Sequence, residues 1–143
     1  MVDPAQGVSD LLVAAGIGVF AATVGWGIYI SKLPESPDTV VEVISSGGPP
    51  SNPAWLLDYP RVQIIIRGAK GSYQNAYVKA TEVNDILLGL ASQTLNGDRW
   101  IAINQSSGLA FMGYDDSNRP LLSLNYLLTI EPLTTAGTNR TAL

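Results

Sequence analysis

The side chains available for chemistry in this chain are limited, because its 143 residues include no histidine and no cysteine. Histidine is the commonest general base and metal ligand, and cysteine supplies thiolate nucleophiles and disulfides. Their absence excludes every Ser-His, Cys-His and His-metal mechanism and leaves only carboxylate, lysine or tyrosine chemistry. We therefore expect a protein that is not an enzyme and that uses no cofactor and no metal.

Two carboxylate pairs remain as candidates for catalysis or metal binding. Glu35 and Asp38 flank a proline-containing turn, but acid–base catalysis needs a cleft and tuned pKa values, which the sequence does not indicate. Asp115 and Asp116 lie beside Asn118, but a calcium loop needs ligands at alternating positions and a distal bidentate carboxylate. Both pairs are more typical of solvated turns.

A third pattern, from Gly68 to Ser72, places a lysine and a serine just before a helix, as a phosphate-binding loop does. The full Gly-x-x-x-x-Gly-Lys-Ser/Thr pattern is absent. The segment instead predicts a strand-to-helix turn in which Ser72 caps the helix.

The charge balance argues against a direct grip on DNA. The net charge is −4, the pI is about 4.5, and the 8 basic residues are scattered along the chain. Neutralising a row of phosphates requires clustered lysine and arginine. An acidic protein can still surround DNA, because a channel wall that repels phosphate lets a duplex slide through.

The clearest structural elements are a strand followed by a helix. Pro60 suits the start of a strand, and the β-branched residues from Val62 to Ile66 favour a pleated, half-buried surface that ends at Gly68. From Tyr73 to Leu90, apolar residues recur at helical spacing. These are Ala76, Tyr77, Ala80, Val83, Leu87 and Leu90. That face is predicted to pack on the sheet.

The N-terminal region allows two interpretations. Residues 11–30 are uncharged and long enough for a transmembrane helix, so a single-pass membrane protein is one alternative. Four glycines and a change of periodicity favour a break instead. A helix is predicted from Pro4 to Ala15, with Asp3 as its N-cap, and a strand from Trp26 to Ser31. With no lysine or arginine near the N-terminus, a signal peptide is disfavoured.

The remaining elements are read from alternation and turn residues. A strand from Thr39 to Ser45 is predicted to form a hairpin with the preceding strand, and Ser46 to Pro53 to form a loop. The C-terminal half is predicted as an antiparallel meander, with turns at Asn96-Gly97-Asp98 and Ser106-Ser107-Gly108. Its strands are Trp100–Asn104, Leu109–Tyr114 and Leu121–Ile130.

Together these elements predict one α+β domain over residues 1–132, with a flexible tail at 133–143. The sheet is expected to be mostly antiparallel or mixed, with two helices packed on one face and a hairpin or loop projecting from the other.

The order of these elements resembles the tail terminator proteins of long-tailed bacteriophages, also called tail completion or minor capsid proteins. The phrases that carry the resemblance are Leu33-Pro34-Glu35-Ser36-Pro37-Asp38, Gly47-Gly48-Pro49-Pro50 and Pro60-Arg61-Val62-Gln63. The segment from Asp58 to Gly68 is the most specific of them.

The resemblance implies a homo-hexameric ring that caps the tail tube, ends tube polymerisation and offers a joining surface to a head-completion or stopper protein. DNA would pass through the lumen only as cargo, and no membrane partner is implied. The subunit would be made in the host cytoplasm and end in the virion. Another neck or tail component, such as a tail tube or head-completion protein, is the second alternative.

Candidate interface residues follow from exposed turns and from side chains typical of interfaces. Trp55 is interpreted either as a core anchor or as a subunit contact. Arg61 and Arg67 lie on the same face of one strand, either as surface ion pairs or as contacts. The full candidate set is Glu35, Asp38, Trp55, Arg61, Arg67, Asp115, Asp116 and Arg119.

Overall fold

The computed structural model describes residues 1–133 and 135–142, which form two helices and one seven-stranded sheet. In chain order the elements are α1 (Pro4–Ala14), β1 (Val19–Phe20), β2 (Gly27–Ile30), β3 (Val40–Ser45), β4 (Arg61–Arg67), α2 (Tyr73–Leu87), β5 (Gln93–Leu95), β6 (Asp98–Tyr114) and β7 (Pro120–Glu131).

The sheet is mixed and curled, with strand order β1-β2-β3-β4-β7-β6-β5. The pairs β1–β2 and β2–β3 are parallel, and the other four pairs are antiparallel. Both helices pack on the same face of the sheet, α1 over β2 and β3 and α2 over β4 and β7. The predicted α+β fold, with two helices on one face, is confirmed.

Both helices begin where local chemistry predicts. The Asp3 side chain accepts a 3.1 Å hydrogen bond from the Ala5 amide, and Pro4 occupies the first helical turn, where a missing N–H costs nothing. The Ser72 hydroxyl accepts from the Asn75 amide at 3.3 Å. α2 ends at Leu87, three residues earlier than predicted, just before Gly89 adopts a left-handed backbone with φ of 76°.

The core lies between the helices and the sheet. Fully buried small and branched residues of α2 pack against the inward rows of the central strands, as their spacing predicts. The exception is Tyr77, which was expected on the buried face and is exposed. The inward rows come from alternate residues of β3, β4 and β7, namely Val41, Val43, Val62, Ile64, Ile66, Leu122, Leu124, Tyr126, Leu128 and Ile130.

The hairpin predicted between the strand at 26–31 and the strand at 39–45 is wrong. These strands, β2 and β3, run parallel with Ile28 opposite Val41. The chain from Ser31 to Thr39 must therefore return along the sheet before β3 begins. An extended chain covers about 3.3 Å per residue, so this short segment is long enough to span the four-residue strand β2. Alternation along a strand predicts which residues lie on which face, but it does not predict strand direction.

The predicted turn at Ser106-Ser107-Gly108 is also wrong, because β6 continues through it as one strand of 17 residues. β6 has four register shifts against β7, and the two between Gln105 and Ala110 accommodate these small residues as β-bulges. The predicted turn at Asn96-Gly97 is correct. Both residues have positive φ, 52° and 87°, as a two-residue hairpin loop requires.

The uncharged segment 11–30 is divided between the end of α1 and the strands β1 and β2. Within the described residues, no helix has the length and apolar character that crossing a membrane requires. The Lys79 ammonium of α2 holds part of this segment in place, because it lies 5.0 Å from the Trp26 ring centroid and donates to the Ile17 carbonyl.

The chain after β7 returns to the loop that precedes β4. The Thr141 amide donates to the Ala54 carbonyl, and the Leu56 amide donates to the Thr141 carbonyl, each at 2.9 Å. Thr134 and Leu143 lie outside the described residues. Flexibility of the tail after residue 132 stays a prediction, and these two amides are where it can be measured.

Candidate protein interface

Asp115 organises the tight connection between β6 and β7. Its carboxylate accepts hydrogen bonds from the amides of Ser117 and Arg119, at 3.0 and 2.9 Å, while Asn118 takes the left-handed backbone conformation that asparagine tolerates. Burial raises the pKa of Asp115, but hydrogen bonds from the Arg119 backbone and guanidinium outweigh that effect and hold the pKa below its ordinary value. This connection, the β6–β7 tip, is thus fixed by its own side chains, as its turn residues predict.

Arg119 joins this tip to the turn before β3. Its side chain is buried, with only 4% of the residue exposed, and its Nε donates to Asp115 Oδ2 at 2.8 Å. Its Nη1 donates to the Glu35 carbonyl at 2.6 Å and to Asp38 Oδ1 at 3.2 Å. Burial lowers the pKa of Arg119, but the neighbouring carboxylates outweigh this and raise the pKa overall. Two turns more than 80 residues apart in sequence therefore share one cation.

Arg67 holds the other side of the same turn. It is the last residue of β4 and is 2% exposed. Its Nε donates to the Asp38 carbonyl at 2.9 Å, and its Nη2 donates to the carbonyls of Pro34 and Pro37 at 2.5 and 2.6 Å. Burial and the nearby Arg119 charge lower the pKa of Arg67. The chain between the parallel strands β2 and β3 is thus fastened by two arginines.

These side chains line one surface depression of about 290 Å³, which we call the corner. Five candidate interface residues, some exposed and some buried, line it together with two neighbouring residues. In chain order the lining is Leu33, Glu35, Arg67, Asp115, Asp116, Ser117 and Arg119. The side chain of Glu35 is 86% exposed, and Asp116 is exposed as well. The corner therefore presents carboxylates to solvent, while its guanidinium groups donate hydrogen bonds to acceptors within the subunit.

The remaining predicted residues lie elsewhere. Arg61 begins β4, six residues from Arg67, and its side chain is exposed. Trp55 is 55% exposed in the loop before β4, so it is not a core anchor of the subunit. The structure thus brings together Glu35, Asp38, Arg67, Asp115 and Arg119, with Asp116 beside them, and leaves Trp55 and Arg61 apart.

Arg140 and Asp58 form a second ionic site, which the sequence reasoning missed. The Arg140 guanidinium contacts both Asp58 carboxylate oxygens, at 2.6 and 3.2 Å, and its Nε and Nη2 donate to the Trp55 carbonyl at 3.0 and 2.5 Å. The Arg140 hydrogen bonds are the main reason that the pKa of Asp58 lies below its ordinary value. No local signal connects residues 82 positions apart, so only the fold reveals this pair.

The arrangement is suited to holding loops in a defined shape. In residues 1–133 and 135–142, no group of three or more acidic side chains is placed to hold a metal ion. The corner offers a partner a fixed acidic surface beside exposed loop residues, and polar surface of this kind is typical of the rim of a protein–protein interface.

Comparison with known proteins agrees with this picture. The family model described as bacteriophage tail terminator protein matches residues 11–132. No curated protein matches the chain. A solved structure described as "Virion of native gene transfer agent (GTA) particle" has a similar fold, with a TM-score of 0.63 and 19% identity. The similarity covers 90% of this chain and 95% of that one.

The family match covers most of the chain, including α2 and the strands that build the corner, and supports a structural role in the virion tail. The chain belongs to the bacteriophage tail terminator family.

Proposed function

We propose that the protein forms a homo-hexameric ring that caps the phage tail tube, ends tube polymerisation and offers the surface to which a head-completion or stopper protein joins. The observation that carries this proposal is the tail terminator match over residues 11–132. The fold supports it by supplying a rigid subunit with fixed acidic and apolar surface features.

The mechanism is steric and needs no chemistry. A ring seated on the last ring of tube subunits occupies the contacts that the next tube ring would have used. For such a cap, preformed loops are an advantage, because ordering loops on binding costs about 0.5–1.5 kcal/mol per immobilised side chain. Arg67 and Arg119 supply this order in the free subunit by fastening the corner.

The corner and the loop from Gly47 to Trp55 are the proposed partner surfaces. At the corner, Glu35 and Asp116 are the exposed carboxylates, so they are proposed to contact the tube protein or the head-completion protein. Asp38, Arg67, Asp115 and Arg119 hold them in place. In the loop, Trp55 is the exposed aromatic contact, and Arg140 anchors its backbone.

DNA is proposed to pass through the ring as cargo. The chain carries a net charge of −4, and its basic residues are few. A lumen lined by such subunits repels phosphate, so a duplex moves through without binding.

Electron microscopy of particles made without this gene tests the function. Abnormally long tails without heads are expected, because uncapped tubes continue to grow. Tubes of normal length that fail to join heads would instead assign the protein a joining role among the other neck components. Infectious particles of normal appearance would refute both.

Charge removal tests the corner as a partner surface. Glu35→Gln combined with Asp116→Asn is expected to leave the folded subunit intact and to reduce the yield of joined particles several-fold. Asp85→Asn removes an exposed carboxylate on α2 and serves as the matched control. Equal yields from the double variant and the control would remove the corner from the interface.

A further inference from the structure

One edge of the sheet is long and open. β5 pairs only with residues 98–100 of β6, so from Ile101 to Tyr114 the outer edge of β6 has no strand beside it within the described residues. The unpaired backbone groups of such an edge are a template for another strand.

Of the devices that usually protect a sheet edge, this edge has β-bulges but neither charge nor proline. Residues 101–114 contain no charged residue and no proline, although lysine and proline are the common guards of exposed edges. Four large apolar side chains along it are exposed, namely Ile101, Phe111, Met112 and Tyr114. The β-bulges bend the strand, so we expect side chains near Tyr114 to provide more of a contact than a long hydrogen-bonded ladder does.

Aromatic rings from α2 extend this surface. The Tyr73 ring lies edge-on to the Phe111 ring with 5.2 Å between centroids, and the Phe111 and Tyr114 rings are 5.5 Å apart. Tyr77 continues the group at 5.9 Å from Tyr73. All four side chains are partly exposed. Clustered aromatic residues at the surface are the composition of interface hot spots.

The opposite end of the same sheet has a second exposed apolar surface. The edge strand β1 carries Val19 and Phe20, and Val24 follows in the loop before β2. These side chains are 64%, 50% and 85% exposed. Residues 11–31 around them contain no charge, and the contacts of Lys79 with Trp26 and Ile17 hold this end in place.

The distribution of charge singles out these two ends. The chain has eight basic and twelve acidic residues, and none lies in 11–31 or 101–114. Two different apolar surfaces at opposite ends of one sheet suit a heterologous contact, in which one surface of a copy meets the other surface of the next copy. A contact of this kind repeats with a constant rotation and closes into a ring when that rotation is a whole fraction of a full turn.

We propose that neighbouring copies of this chain join head to tail, with the β1 end (Val19, Phe20 and Val24) of one copy against the β6 edge and its aromatic group (Tyr73, Tyr77, Phe111, Met112 and Tyr114) of the next. The assignment rests on the ring proposed above and names the surfaces that build it.

Thiol cross-linking tests the assignment, because the natural chain contains no cysteine. The double variant Val24→Cys with Met112→Cys, treated as purified protein and in assembled particles with a short bis-maleimide, is expected to give a ladder of covalent oligomers on a denaturing gel. Either single-cysteine variant alone is expected to give none. A mixture of the two single variants is expected to give dimers and nothing larger, because each copy can react at one end only.

The control is Leu88→Cys with Met112→Cys, since Leu88 is exposed at the C-terminal end of α2 and belongs to neither proposed contact surface. Dimers from Met112→Cys alone would reveal a symmetric contact and overturn the assignment. The absence of a ladder from the double variant in assembled particles would overturn it as well.

The ring contact and the capping function fail in different ways. If gene disruption produces overlong tails but no ladder forms, capping stands and the surfaces are wrong. If a ladder forms but tail length does not depend on the gene, the contact stands and capping is wrong.

Discussion

Arg119 and Glu35 lie 84 residues apart in the chain, yet the Arg119 Nη1 donates a 2.6 Å hydrogen bond to the Glu35 carbonyl oxygen. This bond connects the β6–β7 tip to the crossing between two parallel strands. Together with the hydrogen bonds of Arg67, it fixes the positions of the two turns relative to each other. The two exposed carboxylates proposed to meet a partner are positioned by this pair of buried cations.

Removing Arg119 is expected to destabilise the fold. Arg119→Ala leaves the Glu35 carbonyl and the Asp115 carboxylate without their buried donor, which costs about 2 kcal/mol of unfolding free energy. Arg119→Lys keeps the charge but loses the planar fork, so an intermediate loss is expected. Urea denaturation measures both variants. Lys70→Ala, at an exposed lysine, is the control and is expected to stay within about 0.5 kcal/mol of the wild type. If Arg119→Ala lowered the unfolding free energy no more than Lys70→Ala does, the stabilising role assigned to Arg119 would be refuted.

Removing Arg140 is expected to release the C-terminal segment from the loop before β4. In Arg140→Ala, the ion pair that holds the segments of Thr141 and Leu56 together is lost, so hydrogen exchange of these two amides should become at least tenfold faster. Asp58→Asn should have a similar effect. Asn139→Ala changes an exposed neighbour and should preserve the wild-type rates. Unchanged exchange in Arg140→Ala would show that the backbone contacts hold the segment without the ion pair.

Acid is expected to weaken the fold through Asp58 and Asp115. The pKa of each lies below its ordinary value in the folded protein, so each contributes stability above the unfolded-state pKa of about 3.9. That contribution is lost as the pH falls through the lowered folded-state pKa. Asp58→Asn combined with Asp115→Asn should therefore be less stable than the wild type near neutral pH, and this difference should close toward about pH 2.

Urea midpoints measured across the acid range test this expectation. Asp116→Asn is the control, because its side chain is exposed beside Asp115. A constant difference between wild type and the double variant at every pH would show that the two carboxylates gain nothing from ionisation in the folded state.

Gly7 is expected to be required inside α1. A Cβ at this position would lie 2.4 Å from Trp100 Cζ2, too close for any real contact, and Trp100 is buried. Gly7→Ala gains about 1 kcal/mol of helix propensity, but overpacking typically costs about 1–3 kcal/mol. A net loss of roughly 1 kcal/mol is expected by thermal or urea unfolding. Gly108→Ala, where a Cβ would meet no atom of the described residues within 4 Å, should be close to neutral. Stabilisation by Gly7→Ala would mean that Trp100 moves freely.

The sequence by itself determined the elements whose signals are local. Asp3 with Pro4 and Ser72 set the helix starts, because capping involves residues only two or three positions apart. Asn96-Gly97 specified its hairpin turn for the same reason. The run of β-branched residues from Val62 to Ile66 placed β4. The sequence also determined, through the absence of histidine and cysteine, which chemistries are excluded.

Only the tertiary structure decided how distant segments meet. Whether β2 and β3 run parallel depends on the path between them, and whether β6 bends or continues at Ser107 depends on β7, which supplies the hydrogen bonds. The burial of Arg67 and Arg119 and the pairing of Arg140 with Asp58 join residues that no short pattern links. Local propensity acts over a few residues, whereas burial and ion pairing act between whatever side chains the folded chain brings together.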